Sequence, residues 1–78
     1  MNDMVELVKY IAESLVEHPE QVALSVTENP ESTLIELRVA PEDMGKVIGK
    51  GGRIAKSIRT VVKAATPRDS KPVFVEIM

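Results

Sequence analysis

Apolar residues recur along this chain in two rhythms, and the switches between them mark its elements. From Met4 to Val16 the apolar positions Met4, Leu7, Val8, Ile11, Leu15 and Val16 come at three- and four-residue steps, with Glu6, Glu13 and Glu17 opposite. That is the spacing of an amphipathic helix. Asp3 and Glu6 have the D-x-x-E spacing of a helix start, and Pro19 after His18 predicts the stop. Val5 and Ala12 widen the apolar arc. The rhythm then changes to alternation. Val22, Leu24 and Val26 alternate with Ala23, Ser25 and Thr27, which predicts a strand with one buried face. Glu28-Asn29-Pro30-Glu31-Ser32 is a turn-forming cluster. Beyond it Ile35, Leu37 and Val39 alternate with Leu34, Glu36 and Arg38, so the two strands are expected to form a hairpin.

Pro41 stands where a first helical position would be, with Glu42 and Asp43 in the first turn. Proline has no N–H to leave unsatisfied there, and acids suit the positive end of the helix dipole. Met44, Val47 and Ile48 give this short helix an apolar face, and Gly49 ends it in the manner of a C-terminal glycine. A longer helix is predicted from about Gly52 to Ala65, with Ile54, Ile58, Val61, Val62 and Ala65 on one side. Arg53, Lys56, Arg59 and Lys63 cluster on the other. The segment from Thr66 to Pro72 breaks the pattern, and Val73, Val75 and Ile77 alternate with Phe74 and Glu76 in a last strand. The order is αββααβ, in one domain spanning residues 1–78, without a repeat or a linker. A strand, a helix pair and a strand imply a right-handed crossover between parallel strands.

Composition narrows the function. Hydrophobic residues make up 44% of the chain but aromatics only 3%, Tyr10 and Phe74. The core must be built from aliphatic side chains, which suits thin helix-on-sheet packing better than a large enclosed pocket. Cysteine is absent, which excludes disulfides, thiolate catalysis and cysteine metal sites. No basic stretch leads into an apolar one near the start, and no apolar run approaches the roughly 20 residues that span a bilayer. A cytoplasmic protein without a membrane segment is expected.

The net charge of −2 conceals a strong segregation. Residues 1–43 carry ten acids and two bases, Lys9 and Arg38; residues 44–78 carry eight bases and two acids, Asp69 and Glu76. The halves are thus net −8 and +6. A nucleic-acid site needs a local basic surface, not a basic average. A solvated helix face that happens to be basic has the same composition.

Gly49-Lys50-Gly51-Gly52 stands between the two helices of the basic half. Missing Cβ atoms let a partner's backbone approach, and glycine permits the positive φ of a tight reversal. The following helix aims its free N–H groups at whatever lies over the loop, and a helix N-terminus favours an anion such as phosphate. Lys50 is at the tip, with Lys46 one turn earlier and Arg53 and Lys56 after it. Glycines between helices often make only a turn; here they coincide with a lysine, a basic stripe and an αα reversal set between strands. Gly45 to Lys50 reads G-x-x-x-G-K, one residue short of a P-loop, and Gly51 stands where Ser or Thr belongs. A dinucleotide G-x-G-x-x-G fails as well, at Ile54. His18, the one histidine, sits beside a helix-ending proline, where capping or solvent contact is its expected role. Adjacent Glu42 and Asp43 are read as complementing a helix dipole. No nucleophile–base pair is visible, so neither an enzyme nor a cofactor or metal site is expected.

Val47-Ile48-Gly49-Lys50-Gly51-Gly52-Arg53-Ile54 resembles the V-I-G-x-x-G-x-x-I signature of KH domains. The element order is similar to the prokaryotic type II arrangement, an α+β fold with a three-stranded mixed sheet and helices on one face. Leu7-Val8-Lys9-Tyr10-Ile11-Ala12, His18-Pro19-Glu20 and Asp43-Met44-Gly45-Lys46-Val47-Ile48-Gly49-Lys50 resemble the stand-alone single-KH bacterial proteins of the KhpA family. The resemblance implies a cytoplasmic protein that holds about four single-stranded nucleotides of RNA, with Lys50 and Gly51 facing the RNA backbone. It implies an RNA chaperone or post-transcriptional regulator, acting as a homodimer or with a second KH protein. It also implies a shallow apolar groove for bases, mapping onto Val47, Ile48, Ile54 and Val39, whose alternative role is core packing. No aromatic is expected at that groove. Tyr10 and Phe74, each on its element's less apolar face, are candidates for a partner surface. Single-stranded DNA, or a KH fold that binds protein and no RNA, remain alternatives.

Overall fold

The computed structural model describes residues 3–78. Helix α1 spans Asp3–Leu15, strand β1 Ala23–Glu28, β2 Thr33–Arg38, helix α2 Met44–Ile48, α3 Arg53–Ala65 and β3 Val73–Ile77. The αββααβ order is as expected. The helix-start role expected of the Asp3 side chain lies outside the described residues. The sheet runs β1-β2-β3. β1 and β2 are antiparallel, with Val26 opposite Ile35. β2 and β3 are parallel, with Ile35 opposite Val75, so the helix pair makes the crossover that parallel neighbours require.

Strand parity sorts the side chains. Ile35, Leu37 and Val75 point to the helix side, where they are buried with Val8 and Ala12 of α1, Val47 of α2, Ile58 and Val62 of α3, and Val39. Leu34, Glu36, Phe74 and Glu76 alternate onto the other, solvated face. The core is aliphatic throughout, and both aromatics are exposed, Tyr10 at 71% and Phe74 at 55%.

Three details differ from the sequence pattern. The first helix ends at Leu15, three residues before the expected stop, and a 3-10 turn at Pro19–Gln21 follows. Pro41 opens a second 3-10 turn, Pro41–Asp43, that runs into α2. Finally, β1 has no fully buried face: Leu24 is half-buried and Val26 is 42% exposed. Alternation reports which face a strand turns inward, but β1 is an edge strand and the helices cover it only in part.

Asp43 ties the early turn to the later one. Its carboxylate accepts hydrogen bonds from the backbone N–H groups of Glu17 (3.1 Å) and His18 (3.0 Å), donors that the end of α1 leaves free, and the residue is fully buried. Burial is the largest influence on this carboxyl and opposes its charge. The two backbone hydrogen bonds, with the charges of His18 and Lys46, outweigh it and hold the group below the usual carboxylate range. Asp43 is a tether between elements 26 residues apart, a larger role than the dipole complement expected of it. His18 lies within 3.7 Å of Glu20 and 3.8 Å of Glu42 at the surface.

Candidate nucleic-acid interface

Three successive departures from helical backbone build the loop. Gly49 adopts φ 76°, ψ 172°, a region open essentially to glycine alone. Its N–H still closes the last turn of α2 on Gly45 O at 2.9 Å. Ile54 fills the space beneath it, so that a Cβ on Gly49 would stand 2.6 Å from Ile54 Cγ1. Gly51 and Gly52 follow at φ 65° and 77°, with open space around both. Gly52 N–H bonds Gly49 O (3.1 Å) and Arg53 N–H bonds Lys50 O. The N–H groups of Lys50 and Gly51 come before the first donor of this 3-10 turn, so the turn itself gives them no acceptor. Both residues are exposed at the tip of the loop.

Charge frames the loop. Lys50, Arg53 and Lys56 are exposed and form no ion pair among the described residues. Lys46 differs: its Nζ lies 3.6 Å from Glu17 Oε1, which leaves it half-committed to the end of α1. No side chain caps the start of α3 at Gly52, so its first-turn N–H groups keep their attraction for an anion.

The apolar positions predicted to line a base groove divide. Val47 and Val39 are buried in the core; Ile48 and Ile54 are half-buried against it. Of these, Ile54 lies directly beneath the loop at Gly49. The open groove next to the basic stripe lies farther along α3, between that helix and β3. It measures about 540 Å³, and Arg59, Lys63, Arg68, Phe74 and Val75 are among its walls. Arg59 Nε donates to Val75 O at 3.0 Å, which fixes the guanidinium over the strand edge. Helical periodicity puts Lys56, Arg59 and Lys63 on one side of α3, in line from the loop to this groove. Phe74 also borders this groove, which is separate from the Val47, Ile48, Ile54 and Val39 positions where no aromatic was expected. Arg59, Lys63, Arg68 and Phe74, which border this groove, are not among the residues the sequence suggested for RNA binding. The three- and four-residue spacing of Lys56, Arg59 and Lys63 was the available signal, but the strand they would face was not legible.

A larger concavity, about 960 Å³, lies by the C-terminal end of α3, against Met4, Leu7, Thr66 and Lys71. Its lysine already bonds Asn29 O (2.8 Å) and pairs with Glu28, so size does not locate the site. Among the described residues no group of three or more His, Asp or Glu side chains could hold a metal ion, and no helix is long and apolar enough to cross a membrane.

The family model described as KhpA/KhpB, KH domain, matches residues 5–77. The chain belongs to the KhpA/KhpB KH-domain family. Among its relatives, the RNA-binding protein KhpA of Clostridium perfringens is 60% identical over 75 residues, covering 96% of this chain and 100% of that protein. The RNA-binding protein KhpA of Caldanaerobacter subterraneus subsp. tengcongensis is 57% identical over the same lengths. Two solved structures of Era are similar in fold. The Aquifex aeolicus protein bound to GDP·AlF4⁻ superposes with a TM-score of 0.65 at 26% identity, over 95% of this chain and 29% of that one. Era in complex with MgGDPNP and nucleotides 1506–1542 of 16S ribosomal RNA gives a TM-score of 0.60 at 27% identity, over 95% and 28%. The chain thus spans less than a third of Era. In this KhpA/KhpB member, the glycine loop joins α2 to α3.

Proposed function

We propose that this protein binds single-stranded RNA, seating the sugar-phosphate backbone on the loop Gly49–Gly52. The observation that carries this reading is the pair of exposed residues Lys50 and Gly51, whose N–H groups precede the first donor of the 3-10 turn, set in a loop of three positive-φ glycines. Around them stand the unpaired cations of Lys50, Arg53 and Lys56. Lys46 adds a partly neutralised charge. Val47, Ile48 and Ile54 hold the loop in shape, and bases lie toward the groove of Arg59 and Phe74. The names of the KhpA relatives and the ribosomal RNA in one Era complex favour RNA over DNA. The protein acts in the cytoplasm as an RNA chaperone or post-transcriptional regulator, as two copies or with a second KH protein. Pairing two modest sites on one RNA raises apparent affinity without new contacts.

The test is a crosslinked-RNA pulldown comparing the wild type with Lys50→Asp/Gly51→Asp, with circular dichroism as the folding control. The double variant should stay folded, because Gly51 is left-handed at φ 65°, ψ 20° with open space around it, and Asp tolerates that conformation. RNA recovery should collapse. Unchanged recovery from a folded variant overturns the site. A parallel arm with single-stranded DNA of the same sequence measures the preference between the two polymers.

A further inference from the structure

We infer that Glu17 is a built-in competitor for the RNA phosphate at Lys46, and that it shortens the time a strand stays bound. The inference deepens the RNA reading above and rests on it for the path of the strand past Lys46. Lys46 lies on α2, just before the glycine loop. Its Nζ stands 3.6 Å from Glu17 Oε1, so the carboxylate occupies the place at the ammonium that a phosphate oxygen would take. A carboxylate and a phosphodiester each carry one negative charge, and each is drawn to the same cation.

The backbone keeps Glu17 within reach. Helix α1 ends at Leu15, and the N–H groups of Glu17 and His18 both donate to the carboxylate of Asp43, at 3.1 and 3.0 Å. Asp43 is fully buried and directly precedes the helix that carries Lys46. Glu17 and Lys46 are therefore anchored at one point, and the carboxylate stays nearby when a strand takes the lysine. The neighbouring acids are engaged elsewhere, because Glu20 and Glu42 flank His18 at 3.7 and 3.8 Å. The Glu17–Lys46 contact itself is loose. Its 3.6 Å exceeds the roughly 2.7–2.9 Å of a charge-assisted hydrogen bond. The two side chains are 70% and 41% exposed, and Lys46 makes no side-chain hydrogen bond among the described residues. Lys71 has the opposite arrangement: it pairs with Glu28 and also bonds Asn29 O at 2.8 Å. Lys71 is committed, whereas Lys46 can be taken by a strand and taken back by Glu17. Each return of the carboxylate removes one phosphate contact and hastens release.

Losing a short-range contact acts on release, whereas diffuse surface charge acts on association. Stopped-flow displacement of a fluorescent single-stranded RNA of random sequence by excess unlabelled RNA reads the release rate. Glu17→Gln should slow dissociation about two- to fivefold, the range of an exposed ion pair, and steepen the fall of log K with log salt by up to about 0.7. Only the backbone of Glu17 serves the Asp43 tether, so circular dichroism should be unchanged. Glu13, on α1, forms no ion pair among the described residues, and Glu13→Gln should release RNA at the wild-type rate. In a Lys46→Gln background, Glu17→Gln should leave release unaltered. An unchanged or faster release from Glu17→Gln, an equal slowing by Glu13→Gln, or a slowing that survives Lys46→Gln overturns the competition. Retained binding by the folded Lys50→Asp/Gly51→Asp variant overturns the site itself, and failure of the wild type to bind RNA overturns both. Binding lost in that variant, with wild-type release from Glu17→Gln, overturns the role of Glu17 alone.

Discussion

Gly49 and Gly51 both have positive φ, yet they should respond very differently to alanine. At Gly51 the backbone is near the left-handed helical region, at φ 65° and ψ 20°, and a Cβ meets nothing within 4 Å. Its alanine variant should lose only the conformational penalty, about 1–2 kcal/mol. At Gly49 the ψ of 172° adds a region that costs about 1–3 kcal/mol for an L-residue. The new Cβ would also stand 2.6 Å from Ile54 Cγ1 and 3.0 Å from its Cβ and Cδ1, an overpacking worth about 1–3 kcal/mol more. The sum is about 2–6 kcal/mol, a large part of the roughly 4–12 kcal/mol expected for a domain of this size. Urea unfolding followed by circular dichroism measures both variants. A double-mutant cycle with Ile54→Ala, which removes Cγ1 and Cδ1, should recover part of the Gly49→Ala loss as a coupling of about 1–3 kcal/mol. Equal losses at Gly49 and Gly51, or no coupling to Ile54, would refute the assignment of Gly49 to loop support and Gly51 to ligand approach.

The other predictions concern binding and pH. With three or four phosphates neutralised by Lys50, Arg53, Lys56 and Lys46, log K for a single strand should fall with log salt at a slope near −2 to −3, and Lys50→Gln should shrink that slope by about 0.7; filter binding across a salt series reads both. Phe74→Ala should weaken RNA binding by about 1–3 kcal/mol if its ring stacks on a base, with little change in urea midpoint because the side chain is exposed; an unchanged dissociation constant removes Phe74 from the site. Asp43 contributes through a carboxyl whose folded pKa is lowered, so its stabilisation is present above the usual value near 3.8 and is lost as pH falls through the lower folded value. Asp43→Asn should accordingly be less stable than wild type at pH 7, with the gap closing in acid; a gap that stays constant with pH contradicts the charged tether.

The elements were legible because each is encoded locally. The three-to-four spacing of α1 and α3, the alternation of the strands and the punctuation at Pro19, Pro41 and Gly49 need no knowledge of neighbours. The glycine loop was legible for the same reason. What the pattern could not carry was pairing. The partial exposure of Val26 depends on β1 lying at an edge. The burial of Val47 and Val39 depends on helices closing over β2. Phe74 borders the groove because β3 runs beside α3, and Asp43 reaches Glu17 and His18 only once two turns distant in sequence have met. Each of these facts belongs to the tertiary contacts, where a residue's side of an element is decided by what packs against it.

Segregated charge explains how a chain of net charge −2 can serve a polyanion. Screening in physiological salt acts over about 8 Å, whereas the molecule measures 36 Å along its longest axis. A strand at the loop therefore senses the nearby Lys50, Arg53 and Lys56 more than the net charge of the whole chain. Glu17 engages Lys46 at 3.6 Å and Glu28 engages Lys71 at 3.6 Å, so two bases of the second half are already met by acids of the first. If RNA follows the proposed path, Glu6 and Glu13 on α1 oppose a strand that leaves it. Reversing that repulsion without touching the loop, by Glu6→Lys/Glu13→Lys on α1, should therefore add RNA affinity that disappears in high salt, leaving the contribution of Lys50 and Gly51 unchanged.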